Sequence, residues 1–336
     1  MRRRELETRP GFYYISSHSP SGERAIVPKP ATEFPETKTE TIAQPRFRLH
    51  DYAILLKPRV MSLVVFTAAC GLILAPGSVA LETAIIAVIC IAAGAGASGA
   101  INMWYDEDID RIMRRTQNRP IPAGRMNPRE ALIFGSFLSV GSVVTMHLFV
   151  NFAAAILLAL TILFYVFIYT IWLKRRTPQN IVIGGASGAF PPMIGWAAVT
   201  GDIGLGAVVL FAIIFLWTPP HSWALALFRR GDYAAADVPM MPVVAGERET
   251  KRQILVYTVL LIAATMSPVA VGMSGAVYGV IALGLGIEFW RRCWRVWKSE
   301  EEHEKTAKPL FLFSIFYLFM IFVAMLVDRL LPVSVF

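Results

Sequence analysis

The chain is short of the residues on which most soluble chemistry depends. Three cysteines in 336 residues, Cys70, Cys90 and Cys293, are too few and too scattered for a disulfide framework or a thiolate metal site. Disulfide scaffolds and zinc fingers are thereby excluded. Charge is also scarce: 17% of residues are Asp, Glu, Lys or Arg against 55% hydrophobic, and mean hydropathy is +0.54. Soluble globular domains do not carry that composition; membrane proteins do. No Ser/His/Asp or Cys/His arrangement offers a protein nucleophile. The first 46 residues lack the apolar run that a signal peptide or a span requires. A formal net charge of +8 raises nucleic-acid binding, but the basic residues cluster in short loops between apolar runs, where the positive-inside rule accounts for them.

What the chain has in quantity is uncharged sequence in lengths that suit a bilayer, which takes about 20 helical residues to cross. The runs predict an all-α polytopic membrane protein with nine transmembrane helices at about 60–76, 83–101, 131–150, 152–173, 180–200, 203–220, 253–268, 274–287 and 309–327. The division between the seventh and eighth rests on Pro268, Gly272, Ser274 and Gly275, which supply a turn. Of the 32 Lys and Arg, 31 fall before Val60 or in alternate loops, and only Arg329 falls elsewhere. Nine alternating spans put all of those segments on one face, so the N-terminus is expected in the cytoplasm and the C-terminus outside. Residues 1–46, rich in Pro, Ser, Thr and Glu, are expected to be a disordered cytoplasmic segment ahead of a membrane domain at 47–336. Their acidity argues against a transit peptide, which points to a bacterial inner membrane. Residues 47–56 alternate polar and apolar and suit a short interfacial helix.

The chemistry concentrates in the cytoplasmic loops. After the second span Asn102, Asp106 and Asp110 recur at i, i+4 and i+8. Each step of four turns a helix by only about 40°, so the three share one face at the membrane boundary. Hard oxygen ligands on one stripe suit Mg²⁺ that shares its shell with a diphosphate, and boundary carboxylates are costly enough to suggest function. A second acidic cluster follows the sixth span, where Tyr233 and Asp237 share the i, i+4 spacing and Asp232 lies on the adjacent stripe. Two such clusters would hold two metal ions on one diphosphate; whether Asp232 or Asp237 serves the second stays open. Arg111, Arg115 and Arg119 beside the first cluster, and Lys174 and Arg175 after the fourth span, are candidate diphosphate ligands. His221 and Trp223 stand at the cytoplasmic end of the sixth span.

With these motifs in view, the chain resembles the UbiA superfamily of intramembrane prenyltransferases. The likeness rests on Asp51-Tyr52 with Lys57-Pro58-Arg59-Val60; Asn102 through Asp110 with Arg115, Asn118, Arg119 and Pro120; and Tyr169-Thr170 with Leu173-Lys174-Arg175. It continues through Asn180, Gly184-Gly185, Gly188 and Pro191-Pro192, then Trp217, His221 and Trp223, and Asp232-Tyr233 with Pro239-Met240, covering about residues 48–330. The resemblance, closest to the haem-modifying branch, implies Mg²⁺-dependent transfer of a farnesyl group from farnesyl diphosphate to the 2-vinyl group of haem B with addition of water. It also implies haem contacts from His221 and Trp223, and a haem A synthase or terminal oxidase assembly as downstream partner. In the second motif Tyr233 stands where the superfamily has an aspartate. A prenyltransferase of quinone precursors shares the metal motifs, and an ion-coupled transporter is the rival of another class; the placing of both acidic clusters at one face, away from the midplane, speaks against transport.

Overall fold

Thirteen helices account for about four-fifths of residues 48–300 and 303–331, the part of the chain that the computed structural model describes, and no strand occurs among those residues. The expectation for residues 1–46 lies outside the described residues. In chain order the helices are α1 Leu49–Leu55, α2 Pro58–Leu74, α3 Leu81–Tyr105, α4 Glu107–Ile112, α5 Pro128–Phe149, α6 Phe152–Leu173, α7 Asn180–Thr200, α8 Leu205–Phe228, α9 Arg230–Ala235, α10 Met241–Val244, α11 Gly246–Ala270, α12 Ala276–Lys298 and α13 His303–Leu330.

Seven of them, α3, α5, α6, α7, α8, α11 and α13, are long and apolar enough to cross a membrane. Helices α1 and α2 qualify only as a pair, bent by 56°. The bend falls at Lys57, which adopts a left-handed φ of 52°, uncommon for a residue with a Cβ; Pro58, with φ already helical, then opens α2. In α12 the apolar stretch is short, because Glu288, Arg291, Arg292 and Arg295 follow Ile287 within the same helix. Several helices therefore outrun their apolar cores. Helix α8 is the consequential case: it passes through Pro219-Pro220 and ends at Phe228, so His221 and Trp223 lie inside the helix and not in the loop after it.

Outward faces are apolar and inward faces are small or aromatic, the pattern of a bundle solvated by lipid. On α5, Ile133, Phe137, Val140, Val144 and Leu148 form an exposed stripe at helical spacing. Where α2 meets α7 the backbones touch. A Cβ at Gly71 would lie 2.0 Å from the Pro192 carbonyl oxygen, and one at Gly195 would lie 2.1 Å from that of Ala68, so only glycine permits the approach. Helices α8, α11, α12 and α13 close around buried rings. Phe289 meets Tyr317 edge-on at 4.8 Å, and the Tyr278 hydroxyl donates to the Thr265 carbonyl at 2.6 Å. Asp328 of α13 accepts from the backbone N–H groups of Gly275 and Tyr278 at 2.6 and 3.1 Å, capping the start of α12.

Candidate active site

The first acidic motif straddles a helix break. Asp106 separates α3 from α4, yet its N–H still bonds the Asn102 carbonyl at 3.0 Å and its own carbonyl accepts from Asp110 at 2.8 Å. The i, i+4, i+8 register thus survives the break, and Asn102, Asp106 and Asp110 are all buried, Asp106 completely. Asn102 Nδ2 donates to Asp106 Oδ2 at 2.6 Å. Buried carboxylates need partners, and the cations supply them. Lys174 pairs with Asp106 Oδ2, Arg119 holds Asp110 Oδ2 at 2.6 Å, and Arg175 stands 3.7 Å from Asp106 Oδ1. Asp106 Oδ1 itself has no hydrogen-bond partner.

Lys174 reaches this motif through an irregularity in α6. From Phe164 to Leu173 that helix is a π-helix, continued by the Lys174 N–H, which bonds the Tyr169 carbonyl five residues back at 2.9 Å. In regular α geometry Lys174 would lie half a turn away from Tyr165. The wider π turn brings Tyr165, Tyr169 and Lys174 to one side, and all three line the same chamber. On the facing helix a Cβ at Gly184 would lie 2.1 Å from the Tyr169 ring, so glycine leaves the room this ring occupies.

The chamber has a volume of about 450 Å³. Its polar wall is Lys57, Asn102, Asp110, Arg115, Arg119 and Lys174, with Tyr233 entering from α9 and His221 from α8; Asp106 sits behind Asn102 and Lys174, which hold it. Below these, apolar side chains such as Leu63, Val64, Ile91, Leu158 and Ile214 complete the lining. Burial raises the Tyr233 phenol above its ordinary value, so it stays a protonated donor.

The second motif is only partly assembled. Helix α9 ends at Ala235 and Asp237 takes a left-handed φ of 50°, so Tyr233 and Asp237 do not share a helical face. Asp237 is exposed in a separate shallow pocket with Asp108 and Arg175. Asp232 instead keeps a buried oxygen, Oδ2, without a partner. Arg175 grips Asp108 with two bonds of 2.7 Å, which hold that carboxyl below its usual range. Arg111 turns outward to Glu107 at 2.5 Å, as the i, i+4 spacing in α4 favours. Trp223 is wholly buried and packs edge-on against Tyr257 at 5.4 Å, away from the residues that line the chamber.

Of the chamber residues that the sequence did not mark as site residues, Lys57 and Asn180 bear most directly on the polar wall. Lys57, which follows the interfacial helix read at 47–56, turns its ammonium inward to Asn102 Oδ1 at 2.9 Å; the Lys-Pro pair was the available signal, since it marks the break that aims the side chain. Asn180 at the start of α7 is buried, lines the chamber and leaves Oδ1 unpaired. No group of three or more His, Cys, Asp or Glu side chains converges to hold a metal among the described residues. The unpartnered oxygens of Asp106 and Asp232 are nevertheless hard donors of the kind Mg²⁺ takes, and a diphosphate and water would supply the rest of its shell.

Fold and site define a class, the multi-pass α-helical membrane proteins with a buried chamber whose carboxylates are balanced by Lys and Arg. Within that class the chain belongs to the UbiA prenyltransferase family, which its residues 64–320 match. It is 58% identical over 283 residues to the protoheme IX farnesyltransferase of Parvibaculum lavamentivorans, covering 84% of this chain and 89% of the relative. Its fold is shared with a digeranylgeranylglyceryl phosphate synthase, at TM-score 0.69 and 20% identity over 83% of this chain and 98% of that one. A UbiA homolog from Archaeoglobus fulgidus bound to GPP and Mg²⁺ also shares it, at TM-score 0.59 and 14% identity over 82% and 99%.

Proposed function

We propose that this chain transfers the farnesyl group of farnesyl diphosphate to the 2-vinyl group of haem B, with addition of water, giving haem O and diphosphate. The observation that carries the reading is the 58% identity, sustained over 84% of the chain, to a protoheme IX farnesyltransferase. The site's chemistry is consistent with it. Carboxylates and cations form one wall of the chamber and apolar side chains the rest, which suits a diphosphate with a long hydrocarbon tail.

Asn102, Asp106 and Asp110 on one side and Asp232 on the other would hold Mg²⁺; the exposed Asp237 is the weaker candidate. Bound there, Mg²⁺ neutralises the diphosphate. Arg115, Arg119 and Lys174 stabilise the charge that grows on the leaving oxygen as the allylic C–O bond breaks. The terminal vinyl carbon of the acceptor then bonds the farnesyl C1, and water adds to the cationic carbon beside the porphyrin and releases a proton. Each step balances without a protein nucleophile. Tyr233, a protonated donor at the chamber wall, hydrogen-bonds a diphosphate oxygen. Arg175 and Arg111 act more remotely, Arg175 by orienting Asp106 and Asp108 and Arg111 as a membrane-face anchor.

The wider setting follows from charge distribution and relatives. The domain from 47 onward carries nine spans, with α1–α2 and α12 as the eighth and ninth, its N-terminus cytoplasmic and its C-terminus outside. The bacterial source of the relative points to the inner membrane, and a haem A synthase or terminal oxidase assembly is the fitting recipient of haem O. The test is competition. Detergent-purified protein given farnesyl diphosphate, Mg²⁺, haem B and 4-hydroxybenzoate should prenylate only the haem; prenylation of the benzoate alone would move the enzyme to quinone precursors.

A further inference from the structure

His221 lies one helical turn after Trp217, and its ring is stacked with Trp217 at 4.2 Å and with Phe311 of α13 at 4.6 Å, nearly parallel to both. Its Nδ1 is 2.7 Å from Ser314 Oγ. The Ser314 hydroxyl is fully buried and donates to the Phe311 carbonyl at 2.6 Å. A hydroxyl has one proton to give. With that proton on the carbonyl, the hydrogen in the Nδ1–Oγ contact comes from the imidazole. The ring is therefore the Nδ1–H tautomer, and Nε2 carries a lone pair and no hydrogen. Ser314 is itself fixed, since its carbonyl accepts from Trp217 Nε1 at 2.7 Å. Helices α8 and α13 are thus tied twice at this point, and the imidazole has little freedom to turn.

His221 lines the chamber together with Trp217. With the ring stacked and Nδ1 committed, Nε2 is the polar atom left to meet a ligand. The His221 side chain is only partly buried, so the ring edge that carries Nε2 stays open to the chamber it lines. A histidine that binds a metal characteristically donates its other ring N–H to an oxygen, which sets the tautomer and the ring's aim. We infer that Ser314 is a positioning residue that sets this tautomer, and that His221 Nε2 ligates the iron of the acceptor haem. The inference rests on the haem-farnesylating reading above. Ligation holds the porphyrin in one orientation, with its vinyl edge toward the prenyl donor, and contributes nothing to C–O cleavage.

The test is ferric haem B titrated into detergent-purified full-length protein, read by the Soret band and by electron paramagnetic resonance with ¹⁵N-histidine labelling. Wild type should show hyperfine coupling from a histidine nitrogen. His221→Ala should abolish that coupling, and added imidazole should restore a nitrogen-ligated spectrum. Ser314→Ala should weaken haem binding by about tenfold or more, whereas Ser314→Thr, which keeps the hydroxyl, should bind as wild type does. Should the alanine variants fail to fold, the labelled wild type alone decides, because histidine coupling is either present or absent. Haem that binds wild type without that coupling while transfer proceeds would overturn the inference and leave the proposed function standing. Wild type that neither binds nor farnesylates haem would overturn both.

Discussion

Asp106 shows how one side chain joins stability to chemistry. It is completely buried and ionically paired, so removing its charge leaves Lys174 uncompensated; breaking such a pair costs about 3–5 kcal/mol. Asparagine also removes the charge but keeps the shape and an oxygen that can accept from Lys174, so it is a cleaner probe than alanine. Asp106→Asn and Asp110→Asn should each lower turnover on the order of 10²-fold or more while the protein still inserts and elutes as folded. Full activity in either would remove that carboxylate from the site. Lys174→Ala should act mainly on the donor, raising its KM about tenfold or more, as the loss of a charged hydrogen bond predicts. An unchanged KM would reduce Lys174 to a structural partner of Asp106. At this scale the sequence was informative about the first motif, because a periodicity of four needs only a helix. It could not show that Tyr233 and Asp237 part from a common face, because a helix that stops at Ala235 and a left-handed residue cannot be seen in spacing alone.

Among the elements, the π-helical end of α6 does most to assemble the chamber. Deleting Phe167, whose side chain faces outward, should let this segment relax toward α geometry and turn Lys174 away from Asp106. Circular dichroism should stay that of a helical protein while donor KM rises as in Lys174→Ala; an unaffected KM would show that the π geometry is dispensable. The backbone contact between α2 and α7 is a stability device. Gly195→Val should destabilise by about 1–3 kcal/mol, read as a lower thermal midpoint in detergent. Hydropathy located most of the long helices but not their ends. Helices α8 and α11 continue beyond their apolar runs on hydrogen bonds that no hydropathy index registers, which is why the sixth span read at 203–220 stops just short of His221. The π segment has no local sequence signature; Tyr169 within it packs into the space that Gly184 leaves on the facing helix.

The described residues form lipid-facing helices around a chamber with one polar wall, and the distribution of cations predicts the orientation. With 31 of 32 Lys and Arg assigned to one side, a reporter fused after Phe336 should read as exported, and a cytoplasmic signal would break the nine-span arrangement. Composition alone made the class legible, because a 55% hydrophobic chain with 17% charge leaves few alternatives. The chamber's contents were less so: Lys57, Asn180 and the Ser314–His221 pair meet through contacts between helices far apart in sequence. The most direct test of the account is the mass of the product formed from haem B and farnesyl diphosphate in ¹⁸O-water, with Mg²⁺ and with EDTA. The account predicts a haem carrying one farnesyl group and one ¹⁸O-hydroxyl, formed with Mg²⁺, lost with EDTA and regained when Mg²⁺ is restored. A farnesylated haem without labelled oxygen, or one formed undiminished in EDTA, would contradict it.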